Sequence, residues 1–116
     1  MHRIARILGP GHIEVIETRF NLAMIEMAGG RLSEELEDLL EALPRFVDVY
    51  GWPHAKTEIA FKELDALAEK LGAAGDNANG ERAWRALLEF AADARVASTE
   101  WHERATTRLD SLRVRQ

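Results

Sequence analysis

Cysteine is absent from the chain. That excludes disulfides, thiolate metal ligands, iron–sulfur clusters and cysteine nucleophiles together. It also fits a reducing, cytoplasmic setting. Long apolar runs are missing as well. No stretch approaches the ~18 apolar residues that span a bilayer, so no membrane partner is expected. The start, Met1-His2-Arg3-Ile4-Ala5-Arg6-Ile7-Leu8, is basic, but its apolar part is short and is cut by Gly9-Pro10-Gly11, so it does not read as a signal peptide. Positive charge is the minority: 15 Lys+Arg stand against 20 Asp+Glu, a net charge of −5. Nucleic acid is therefore not the expected partner. Arg104, Arg108, Arg113 and Arg115 read as a solvated helix end that suits the C-terminal dipole. There is no P-loop, no dinucleotide glycine fingerprint and no Ser-His-Asp arrangement with a supporting motif. Nothing in the pattern points to a hydrolytic enzyme.

What remains is a helical composition. Of 116 residues, 47% are hydrophobic and 30% charged, the mix of one globular domain over 1–116 with a single core. With only three prolines and eight glycines, each breaker carries information. Ile13, Ile16, Phe20, Ala23, Met24 and Met27 have helical period and predict a first helix over 12–28. Gly29-Gly30 stops it. Ser33 with Glu34 and Glu35 reads as a cap and an acidic first turn. A second helix then carries Leu36, Leu39, Leu40, Leu43, Phe46, Val47 and Tyr50. Pro44 should kink or break it, and Gly51-Trp52-Pro53 is a second irregularity. Helix resumes to Leu71 with Phe61, Leu64, Leu67, Ala68 and Leu71 inward. Residues 72–80 read as a loop. From Glu81 to Arg113 there is neither Gly nor Pro. Two helices with a turn near 96–99, capped by Ser98 or Thr99, would complete an up-down four-helix bundle. The alternative is one long helix, giving a hairpin completed by dimerisation. The acidic run Glu34, Glu35, Glu37, Asp38 and Glu41 reads as a solvated face. Trp52, Trp84 and Trp101 read as core or interface aromatics.

The chemistry-bearing residues are histidines. His54 and Glu58 stand four apart, on one face of a helix, where an imidazole and a carboxylate can grip one metal ion. His12 lies at the start of the first helix and His102 near the start of the last. If their heights in the bundle coincide, three imidazoles and the Glu58 carboxylate converge on a divalent ion.

The segment Tyr50 to Leu64, with its aromatic-Pro-His-x-x-x-Glu-x-x-Phe pattern, resembles the hemerythrin-like, HHE cation-binding family. The resemblance covers roughly residues 8–112, and its motifs lie at 50–64. It implies a four-helix bundle with a non-haem iron site, serving oxygen, redox or nitric oxide sensing or metal handling. Carried over, His12, His54, Glu58 and His102 match ligand positions. The chain departs from the family at the third helix, which has no histidine, and after His102, where Thr106 and Thr107 replace the expected acid. The implied site is therefore reduced: one iron, with two or none as the alternatives. A metal-free helical interaction module, a homodimer, is the second reading. An enzyme using mononuclear iron is the weakest.

Overall fold

The computed structural model describes residues 13–115, with side chains from 14 to 112. His12, and the expected packing of Ile4, Ile7 and Leu8, lie outside the described residues. Among the described residues every regular element is helical: α1 (Ile13–Ala28), α2 (Leu32–Tyr50), α3 (Ala55–Ala73), α4 (Asn77–Ala92) and α5 (Thr99–Arg115). None of these helices is long and apolar enough to cross a membrane.

Each helix packs on the next in sequence, and α2 also touches α4. The principal-axis extents are 49 × 32 × 17 Å. With packed helix axes about 8–10 Å apart, the short extent is two helix layers deep. One connected apolar core draws on all five helices, from Ile16 and Phe20 through Leu39, Phe61 and Leu87 to Ala105.

The helix ends follow local chemistry. Gly30 has φ +80°, and the turn past α1 closes with Gly30 N–H donating to Met27 O and Arg31 N–H to Glu26 O. The second helix differs from its expectation in three ways. It begins at Leu32 after Arg31, with no side-chain cap, so Ser33 lies inside it. Pro44 interrupts nothing, because α2 runs on through it to Tyr50. The chain instead ends the helix at Gly51, whose φ of +73° suits a residue without a Cβ. The Gly51 N–H still reaches Val47 O, at 3.0 Å. Trp52-Pro53 is cis, and His54 is extended before α3 begins. The segment expected as one interrupted helix from after Ser33 to Leu71 is thus two helices packed on each other, so that the described residues hold five helices.

The loop expected over 72–80 shrinks to a tight turn. Asp76 caps α4, its side chain accepting from the Asn79 N–H at 3.2 Å. Gly80 lies inside α4 and is buried; a Cβ there would stand 3.6 Å from Gly72 N and 3.7 Å from Ala68 O. These are ordinary packing distances, and they place Gly80 at the contact of α4 with α3. The turn expected near 96–99 is present. Asp93 ends α4, and Ser98 Oγ accepts from the Trp101 N–H at 3.3 Å. The chain therefore reverses there, and the long-helix hairpin does not form. Of the arginines expected as a solvated helix end, Arg104 and Arg108 are paired. Arg104 forks onto Asp65 at 2.6 and 2.9 Å, and Arg108 reaches Glu69 at 2.6 Å. These pairs join α5 to α3 through charge-assisted contacts.

Candidate functional site at the α2–α3 corner

The corner at Tyr50–Ile59 joins the end of α2 to the start of α3, with α1 alongside. Phe46 ends the apolar floor of α2 there. It packs on Phe20 of α1 at 5.5 Å between ring centroids and on Tyr50 at 5.7 Å. Burial of these rings fixes the separation of α1 and α2, and polar groups close the edge. Tyr50 Oη donates to Glu17 Oε2 at 2.6 Å. The Lys56 ammonium pairs with the same carboxylate and lies 5.0 Å from the Tyr50 ring centroid. The Lys56 and Tyr50 hydrogen bonds hold the Glu17 carboxyl below its usual pKa, as expected for a carboxylate accepting from both a cation and a phenol.

Beside this knot lies an open cavity of about 320 Å³, lined by Glu17, Phe20, Asn21, Phe46, Lys56 and Ile59. Its floor is aromatic and its rim carries one ion pair. Ile59 stands 49% exposed at the α3 side, and Met24, on α1, is 37% exposed. Leu22 and Ile25 of α1 are exposed as well. Met24 follows Phe20 and Asn21 at i+4 and i+3 and shares their face of α1, whereas Leu22 and Ile25 leave other faces and are ordinary single exposed side chains.

The four residues expected as metal ligands fall as follows. His54 is not within a helix; it is the residue before α3, and its Nδ1 accepts from the Lys56 N–H at 3.1 Å. Its ring stacks on Tyr50 at 4.6 Å and 25°. Glu58 is one turn on, its backbone N–H donating to His54 O at 2.9 Å, and its carboxylate faces Lys62 at 3.4 Å. His102 is exposed on the first turn of α5, and His12 lies outside the described residues. Among the described residues no group of three or more His, Asp or Glu side chains is placed to hold a metal ion.

Sequence reasoning missed the groove and an acid. Glu35, expected on a solvated face, is fully buried. The signal was present: Glu35 is four residues before Leu39 and therefore on the inward stripe. Among the described residues, fold and corner together define an all-helical arrangement of five sequentially packed helices with an aromatic groove beside the α2–α3 corner. Compared with protein-family models, curated proteins and solved structures, the chain matches none.

Proposed function

We propose that this chain is a metal-independent helical protein–protein interaction module whose contact surface is the α1–α3 face beside the corner. The observation that carries the reading is the aromatic-floored groove with half-exposed Ile59 on its lining, and with exposed Met24 one turn beyond Phe20 on α1. Such a groove suits the apolar ridge of an amphipathic helix, with the Glu17–Lys56 pair as polar rim. Self-association is the form tested first, because closed twofold dimers are the commonest soluble oligomers. Light scattering is expected to give a species of about 26 kDa, twice the 13.1 kDa chain. Ile59→Glu is expected to shift it to monomer with unchanged helicity, since a carboxylate would be buried against Phe20 and Phe46. A wild-type monomer, or an Ile59→Glu dimer as tight as wild type, counts against self-association through this face.

A hemerythrin-like metal protein is the second reading. It is favoured by His54 and Glu58 leaving the same turn, with His54 Nε2 outside the cap. The two roles of His54 separate experimentally. Loss of the cap in His54→Ala is expected to cost about 1 kcal/mol, and His54→Ser, which keeps a cap acceptor, restores it. A metal ligand is not replaced by serine. Iron bound by wild type from iron-supplemented cells and lost in both variants, by elemental analysis, would favour the metal reading. Stability recovered in His54→Ser, with metal content unaltered across the series, would favour the capping role.

A further inference from the structure

Where α1, α2 and α3 meet, carboxyl groups from all three helices are enclosed. Glu35 of α2 is 0% exposed, and neither of its oxygens has a hydrogen-bond partner. Glu63 of α3 has a buried, unpartnered Oε2, and Glu26 of α1, only 8% exposed, has a buried, unpartnered Oε1. The surrounding charges do not neutralise them. Glu35 is faced by Glu63 and Lys70 from α3 and by Glu26 from α1. Glu26 is faced by Asp38 and Glu34 from α2 and by Arg31 just ahead of it. From α4, Arg82 is tied to exposed Glu37. An ionised carboxylate enclosed without a donor is among the costliest groups to bury, and a proton is the cheapest way to remove its charge.

We propose that the α1–α3 layer is a proton-dependent latch, closed while Glu35 and Glu26 keep their protons and loosened as rising pH ionises them. Burial first, and then the Glu63 charge, push Glu35 up to about 8. The Asp38 carboxyl first, and then burial, push Glu26 up to about 7. In an unfolded chain both groups ionise near 4.5. The unfolded state therefore loses these protons first as pH rises. The latch is fully stabilising below about 4.5, weakens from there to about 7 for Glu26 and about 8 for Glu35, and adds nothing further above. Each group multiplies the unfolding constant roughly tenfold per pH unit inside its window.

The test is urea unfolding of the full chain across pH 5–9, comparing wild type with Glu35→Gln, a neutral side chain of the same shape. Glu35→Gln is expected to flatten the curve by about one factor of ten per unit between pH 5 and 7.5. Parallel curves would overturn the proposal. A second readout needs no variant: the ¹³C carboxyl resonances of glutamate-labelled wild type, with one expected to titrate near 8. All glutamates titrating below 5 would overturn it. So would alkaline destabilisation that calcium or magnesium abolishes, because a bound cation rather than a proton would then be the neutralising species.

Discussion

Phe61→Ala is expected to lower the unfolding free energy by about 3–5 kcal/mol. Phe61 is fully buried, and its ring is the hub of an aromatic cluster drawn from separate parts of the chain. Trp52, in the α2–α3 corner, stacks on it at 5.0 Å and 21°. Trp101, at the start of α5, meets it edge-on at 6.0 Å and 82°. Phe90, near the end of α4, lies at 6.4 Å. Truncation removes the transfer energy of a phenyl group and leaves a void bounded by three rings on three backbone segments. These segments are pinned by helices, so the void cannot close by moving one side chain, and the cavity penalty is added to the transfer loss. A domain of this size has only about 5–15 kcal/mol in hand, so the variant should sit near the edge of folding. Its thermal midpoint should fall by roughly 15 °C. Urea unfolding with an unchanged m-value would show that stability alone had moved. A loss below about 1 kcal/mol would mean that the cluster is not packed around this ring.

The stripe that carries Phe61 was readable in the sequence. Leu64, Leu67, Ala68 and Leu71 recur at helical spacing, and all are buried with it. Ile16, Phe20 and Ala23 of α1 were readable for the same reason and are buried, although Met24, expected with them, is exposed; the turn at Ser98 was readable from its capping residues. The reversal at Gly51–His54 was harder to see. Apolar residues keep a helical period on both sides of it, and periodicity does not register whether the chain continues straight or folds back. Only local punctuation separates the two cases, and the same residue type punctuates differently at two places. Pro44 lies mid-helix, where the rest of the ladder holds it, whereas Pro53 stands two residues after a glycine at positive φ and precedes an extended capping residue.

That reversal also decides what His54 does. In a continuous helix its ring would project from a side face toward neighbouring helices. At a helix start it turns back on its own backbone and caps it. A His-x-x-x-Glu spacing is thus compatible with a ligand pair and with a capped first turn, and spacing alone does not distinguish them. The groove was not legible because it is made from residues distant in sequence, Phe20, Phe46 and Ile59. Each of these reads singly as core.

Glu35→Leu is expected to raise stability at pH 7 by about 3 kcal/mol. The native carboxyl holds its proton up to about 8, against an ordinary value of 4.5. At pH 7 the unfolded chain has been favoured by ionisation over about 2.5 pH units, at ~1.36 kcal/mol for each. Leucine has no proton to lose and no unpaired oxygen to bury. It is close to glutamate in volume and extends the stripe of Leu36, Leu39 and Leu43, all fully buried. Exchanging an unsatisfied buried charge-bearing group for an apolar one of similar size is commonly stabilising. The gain should depend on pH in a defined direction. It should be small near pH 4.5, where only the unpaired neutral carboxyl is removed. It should grow through neutrality and level off above about 8, once the native carboxyl is also ionised. Urea midpoints of both proteins at pH 5, 7 and 8.5 give the three points needed. Destabilisation at all three would mean that the Glu35 carboxyl has a partner in solution that offsets its burial.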